Sequence, residues 1–306
     1  MNIVFFGNPL FAAKSLEYLN DMENLNIRLV VTNIDKRMGR GLKKQSTPVK
    51  QTALKYSNKI LETDNPNSSK TINTFKKINA DLFIVVGYRY LNEKVYSHLK
   101  HGAINLHASL LPKYRGASPI QYAIMNGDKK TGLTTFFINK RIDQGQIIYQ
   151  QEYTINEIDE FEDVYLGLTL LSKQVLNKTI NIISSKDQLL YKSKIEPSQA
   201  PKIQKEDFII NWQESSYNIH NKIRGLSYKG AYTHYINKRI KFFGTSSNKN
   251  NIQNIKAGKF YYEKNKIHIV AGEGEVIASK VQLEGGKVIS AADFSNSLKK
   301  GFNSFE

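Results

Sequence analysis

Leu82-Phe83-Ile84-Val85-Val86 is apolar at every position, and further along the chain Ala103-Ile104-Asn105-Leu106-His107-Ala108-Ser109 alternates apolar with polar. A short run with no polar residue is the pattern of a strand covered on both faces, as strands inside parallel sheets are. The run 82–86 therefore reads as a central strand. In the alternating run the side-chain period of two places Ile104, Leu106 and Ala108 on one face and Asn105, His107 and Ser109 on the other. Working outward, Asn2–Phe6 reads as a first strand closed by Gly7, and Ile27–Thr32 as a second. Phe11, Leu16 and Leu19 fall at helical spacing between them. Leu133–Ile138 and Gln146–Tyr149 read as later strands, and Phe161, Val164, Leu168, Leu171 and Val175 mark a long amphipathic helix. Alternating short strands and helices predict an α/β domain with a mostly parallel sheet.

Beyond Ser184 the periodicity fades into a polar stretch with Pro197 and Pro201, which reads as a linker. Short alternating runs then follow at Ala231–Ile236, Arg239–Phe243, Lys259–Tyr262, Ile267–Ala271 and Val276–Leu283, the pattern of a small β-barrel. The expected organisation is a catalytic domain over 1–183, a linker over 184–205 and a barrel over 206–306. Trp212, the single tryptophan, reads as a packing anchor between domains, and Ser246–Asn254 as a solvated loop.

The chain has 306 residues, 40% hydrophobic and 23% charged, with a mean hydropathy of -0.44. That is the composition of a soluble globular protein. No apolar run approaches the roughly 20 residues of a membrane helix, and the opening residues lack a basic leader, so a cytoplasmic protein without membrane contact is expected. Zero cysteines exclude disulfides and thiolate chemistry. The six histidines are scattered, and no metal site is expected. Gly7-Asn8-Pro9-Leu10-Phe11 lacks the glycines of a dinucleotide fingerprint, so no nicotinamide or flavin is expected either. With 44 Lys and Arg against 27 Asp and Glu, the net charge is +17, which favours a polyanionic partner. The densest basic stretch carries Lys36, Arg37, Arg40, Lys43, Lys44 and Lys50 against the single acid Asp35.

Chemistry concentrates in Ile104–Gln121, INLHASLLPKYRGASPIQ. Open α/β sheets build their sites at strand C-termini, where Asn105 and His107 fall together. An asparagine amide can donate to a developing oxyanion, and a histidine can take a proton from an attacking amine. Those are the requirements of acyl transfer. Asp143 in Arg141-Ile142-Asp143-Gln144-Gly145 is a carboxylate on a tight loop, which either orients the histidine or simply caps the turn.

GNPLFAAKSLEYL, DKRMGRGLKKQSTPVKQ, INLHASLLPKYRGASPIQ, RIDQG, APKIQKEDFIINW, HNKIRGLS and VQLEGGKVISAADF together resemble, in order, the landmarks of the methionyl-tRNA formyltransferases. These form the tRNA-specific branch of the 10-formyltetrahydrofolate-dependent formyltransferase superfamily. The resemblance implies a Rossmann-like N-terminal domain and a small OB-like C-terminal barrel that binds tRNA. It implies transfer of a formyl group from 10-formyltetrahydrofolate, as co-substrate, to the free α-amino group of methionyl-initiator-tRNA. The donor's carbonyl is already activated by its N-aryl leaving group, so no metal is required, and a monomer is expected. Carried over by position, it assigns catalysis to Asn105, His107 and Asp143, and donor binding to Ser109, Leu110, Leu111 and Pro112. It assigns tRNA contact to Lys36, Arg37, Arg40, Lys43 and Lys44. The chain departs from the family pattern at Asn8, Gly87 and Gln144, and Asn139-Lys140-Arg141 adds positive charge beside the Asp143 loop. A formyltransferase acting on an amino sugar, or a non-catalytic RNA-binding protein on the same scaffold, are the rival readings.

Overall fold

The computed structural model describes residues 1–38, 43–185, 196–249, 254–296 and 303–305. The first part of the chain runs β1 (Asn2–Gly7), α1 (Leu10–Asn20), β2 (Asn26–Thr32), β3 (Lys36–Met38), β4 (Lys43–Gln45), α2 (Pro48–Lys55), β5 (Ile60–Glu62), α3 (Ser69–Lys76), β6 (Leu82–Val86), α4 (Glu93–Tyr96), β7 (Ala103–His107), α5 (Pro119–Met125), β8 (Lys130–Phe137), β9 (Ile147–Thr154) and α6 (Phe161–Ser185). Strand order in the large sheet is β5-β2-β1-β6-β7-β8-β9. The pairs among β5, β2, β1, β6 and β7 are all parallel, and β8 joins β7 antiparallel. This is the Rossmann-like, mostly parallel sheet expected from the sequence. β6, the LFIVV run, is its middle strand and is buried at all five positions.

Local chemistry starts the helices where the sequence allows it. Thr47 and Ser68 accept backbone N–H groups of Lys50 and Thr71 as N-caps, and Pro48 and Pro119 occupy first-turn positions that need no donor. One side of the sheet is anchored by Phe6, Phe75 and Phe83, whose rings meet at centroid distances of 5.1 to 5.6 Å. Each such ring contributes about 1.5–3 kcal/mol by leaving water.

The C-terminal part continues with α7 (Ser216–Gly225), β10 (Tyr232–Tyr235), β11 (Lys238–Asn248), β12 (Lys259–Glu263), β13 (Lys266–Val270), β14 (Glu275–Leu283), β15 (Val288–Ser290), α8 (Ala291–Ser295) and β16 (Asn303–Ser304). Its sheet runs β10-β11-β14-β13-β12-β16, with β15 on β14, and every pair is antiparallel. The nearly closed antiparallel sheet is the barrel expected from the alternating runs. Ile219 and Ile223 of α7, with Phe242, Phe260 and Trp212, fill its core. Trp212 stacks on Phe305 and meets Phe242 edge-on, so it anchors this core rather than a junction between domains. Ser246–Asn248, expected in a loop, extend β11 by pairing with β14; residues 250–253 lie outside the described residues.

Two compact units emerge, and they do not follow chain order. One comprises 1–116, 132–153 and 167–199; the other comprises 117–131, 154–166 and 200–306. Hydrogen bonds within the second unit explain its composition. Tyr217 Oη donates to Gly127 O, His220 Nε2 to Glu157 O, and the Arg224 guanidinium to Asn156 O and Asp159 O. Arg224 is only 5% exposed, so backbone carbonyls of the 154–166 segment and the amide oxygen of Asn221 satisfy a buried cation.

Candidate active site

β7 ends at His107, so the polar stripe read along 105, 107 and 109 is shorter than expected. Asn105 is half-buried between Val85 of β6 and Phe136 of β8, and its amide makes no hydrogen bond among the described residues. His107 is 7% exposed, and its Nε2 lies 2.9 Å from Tyr114 O. Ser109 has left the strand. It is fully buried, and its hydroxyl donates to Lys113 O at 2.6 Å, closing the 109–113 turn instead of facing outward with the other two.

Asp143 arrives from the loop between β8 and β9. Its Oδ2 accepts the Gly116 N–H at 2.8 Å and lies 3.9 Å from His107 Nδ1. The second distance is an electrostatic contact rather than a hydrogen bond. Asp143 and Tyr114 both hold positive φ, 52° and 62°, a conformation that costs free energy for any residue with a Cβ. The loop needs its glycine as well: a Cβ on Gly145 would run into the carbonyl oxygen of Phe137. Asn139 braces the loop from within, accepting from Arg141 N and donating to Gln144 O.

Asn105 and Asp143 line a common cavity of about 160 Å³. Its remaining walls are Val85, Tyr88, Arg89, Tyr90 and Leu91 after β6, together with Phe136, Ile138, Asn139, Arg141 and Ile142. His107 stands behind Asp143 rather than on the cavity wall. Burial pushes the Tyr88 phenol up to about 12, so it is neutral at physiological pH. The aromatic and apolar walls suit a flat heteroaromatic ring, and the two arginines suit an anionic extension from it.

Ser109, Leu110, Leu111 and Pro112 do not line this cavity. Leu111 is buried, its N–H donates to Thr134 Oγ1, and its carbonyl accepts from Gln150, so the loop is a wall held by β8 and β9. Ser198, within the stretch read as a linker, accepts the Tyr114 N–H on its hydroxyl and the Arg115 N–H on its carbonyl. The sequence reading missed Tyr88–Leu91, Tyr114, Gly116 and Ser198. Only Tyr88–Leu91 had an available signal, because they directly follow the C-terminal end of the central strand.

Lys36, Arg37 and Lys44 lie exposed on the hairpin β3–β4, in which Lys43 pairs with Met38. Arg40 lies outside the described residues. No group of three or more potential metal ligands occurs among the described residues, and none of their helices is long and apolar enough to cross a membrane.

Comparison with known proteins identifies the family. The formyl transferase family matches residues 1–180, and the formyl transferase C-terminal domain matches residues 202–299. A methionyl-tRNA formyltransferase from Halothermothrix orenii is 38% identical over 303 residues, 96% of each chain. Another, from Chlorobium chlorochromatii, is 35% identical over 304 residues, 97% of each chain. The chain belongs to the methionyl-tRNA formyltransferase family. It is therefore a formyltransferase. Among solved structures, the N-formyltransferase from Helicobacter canadensis, complexed with folinic acid and dTDP-3-aminofucose, aligns with a TM-score of 0.66 over 90% of this chain and 98% of that one. At 21% identity that likeness speaks for the fold.

Two of the departures noted above have local structural roles, at Asn8 and Gly87. Asn8 Oδ1 accepts from Thr32 Oγ1 and Asn33 N, tying the first turn to the end of β2. Gly87 has φ +54°, and a Cβ there would press on Pro9. Gln144 is exposed and does not line the cavity.

Proposed function

We propose that this enzyme moves a formyl group from N10 of 10-formyltetrahydrofolate to the α-amino group of methionine esterified to initiator tRNA, using Asn105, His107 and Asp143. The observation that carries the reading is the Asn105 amide, without a hydrogen-bond partner among the described residues, on the same cavity as Asp143, which lies 3.9 Å from His107. As the amine nitrogen bonds to the formyl carbon, the formyl oxygen gains negative charge, and an amide N–H held ready for it stabilises that charge at no reorganisation cost. The amine must lose a proton. Imidazole is suited to take it, and can return one to N10 as the carbon–N10 bond breaks. Asp143, fixed by Gly116, would hold the ring in register, and the cavity would take the pteridine against Tyr88, Leu91, Phe136 and Ile138. Ser109–Pro112 would keep the shape of the wall behind the histidine.

For the RNA, the exposed hairpin cations Lys36, Arg37 and Lys44, with Lys43 and Arg40, would meet phosphates. The barrel would add a second contact. Its groove of about 880 Å³ carries Lys202, Lys205, Lys229 and Lys241, with Arg239 paired to Glu284, beside Phe208, Tyr228, Tyr232 and Phe243. Cations interleaved with aromatic faces suit a nucleic-acid backbone and its bases. The test is formylation of Met-tRNA with 10-formyltetrahydrofolate, comparing wild type and Asn105→Ala. The variant should turn over roughly 100- to 1000-fold more slowly while remaining folded. A wild-type rate for Asn105→Ala would remove the amide from the mechanism, and formylation of small amines in preference to Met-tRNA would overturn the acceptor.

A further inference from the structure

Lys50 belongs to the basic stretch by composition but not by contact. Its ammonium lies 2.8 Å from Asp35 Oδ2 and 2.7 Å from Glu62 Oε1, and its side chain is 18% exposed. Asp35 immediately precedes β3, Lys50 lies in the first turn of α2 after β4, and Glu62 ends β5. One cation thus joins both feet of the basic hairpin to the edge of the large sheet. Three further bonds close the same base. Asp35 N donates to Glu62 Oε2 at 3.3 Å, the hydroxyls of Thr32 and Thr47 lie 2.6 Å apart, and Asn33 N donates to Asn8 Oδ1. The pairing also leaves its mark on protonation: hydrogen bonds to Asp35 and Glu62 hold the Lys50 ammonium above its ordinary value, and Lys50 holds the Asp35 carboxyl below its own.

We infer that Lys50 is a positioning residue for the RNA substrate: it clamps the base of the hairpin so that the exposed cations Lys36, Arg37 and Lys44 are presented in one orientation. This rests on the reading that the hairpin contacts tRNA. The physical reason is that cations on a hairpin with a loose base would have to be ordered at the moment of binding, at a cost drawn from affinity. Without Lys50, Asp35 and Glu62 become two neighbouring carboxylates with no cation between them, which pushes the first foot away from the sheet.

The test uses the full chain and four variants. Lys50→Gln should raise KM for Met-tRNA roughly five- to thirtyfold, with kcat at saturating tRNA and the KM for the folate donor unchanged. Trypsin should also cut faster within residues 36–44. Lys50→Arg keeps a cation between the carboxylates and should retain the wild-type KM. A wild-type tRNA KM and cleavage rate in Lys50→Gln, or a Lys50→Arg as impaired as Lys50→Gln, would overturn the clamp. If Lys50→Gln does not fold, Asp35→Asn carries the same test, since it removes one arm and leaves Lys50 on Glu62. The double variant Arg37→Ala/Lys44→Ala separates the two ideas. If it leaves the tRNA KM unchanged, the hairpin does not contact RNA; if it raises the KM while Lys50→Gln does not, the RNA contact stands and the clamp falls.

Discussion

His107 donates its Nε2–H to the carbonyl oxygen of Tyr114 at 2.9 Å, which leaves Nδ1 as the nitrogen facing Asp143. A carbonyl can only accept, so the neutral ring carries its proton on Nε2 and its lone pair on Nδ1. The backbone of a strained residue thereby selects the tautomer. Tyr114 is held in turn by Ser198, so the choice of basic nitrogen depends on a segment far along the chain.

If Nδ1 accepts the amine proton, His107→Ala should lower kcat by roughly 100- to 10,000-fold. Steady-state formylation, read alongside thermal unfolding, checks this. A folded variant with near-normal kcat would take the imidazole out of the reaction.

Asp143 has two tasks that one substitution can separate. In Asp143→Asn an amide oxygen can still accept the Gly116 N–H, so the loop and the melting temperature should be preserved. The negative charge 3.9 Å from His107 is lost, so kcat should fall. Equal loss of stability and activity would mean that Asp143 is a turn residue only.

His220 gives the barrel unit a pH response. Burial holds its imidazole below the ordinary value of 6.5, with Nε2 donating to Glu157 O and Nδ1 close to Thr245 Oγ1. The unfolded chain therefore binds a proton at higher pH than the folded one, and stability is lost as pH falls below 6.5 toward the folded value. Thermal unfolding between pH 7.5 and pH 5 should show a declining melting temperature that is flatter in His220→Gln. An identical slope in the variant would assign the decline to other groups.

Trp212→Ala should cost about 3–5 kcal/mol, because it removes the ring that stacks on Phe305 and meets Phe242 edge-on in the barrel core. Denaturant unfolding followed by circular dichroism measures it. Trp212→Phe should cost less, since the indole N–H is buried with no partner among the described residues and its removal relieves that loss.

Much of the architecture was legible because burial writes a periodic pattern. The unbroken LFIVV run marked the middle strand, and the alternating runs after residue 230 marked the barrel. The residue types at 105, 107 and 143 suggested acyl-transfer chemistry, and the structure brings Asp143 to His107 and sets Asn105 and Asp143 on one cavity. Ser109 was misread because alternation does not reveal where a strand ends, and Trp212 because its position at the edge of a polar stretch is silent about what it packs on.

The amino-acid order alone thus determined which segments become strands and helices, where the charge concentrates and which side chains can exchange protons or donate to an oxyanion, since these follow from local spacing and composition. Tertiary structure decided which of them meet. Asp143 reaches His107 through a left-handed backbone and a glycine pressed on Phe137, and the Lys50 ammonium is paired with carboxylates on two other segments. Residues 117–131 and 154–166 join the C-terminal unit through carbonyls that satisfy Tyr217, His220 and Arg224. Such pairings connect positions far apart in the chain, and their geometry is set by loop conformation and by the need to satisfy buried polar groups, neither of which leaves a periodic trace in sequence.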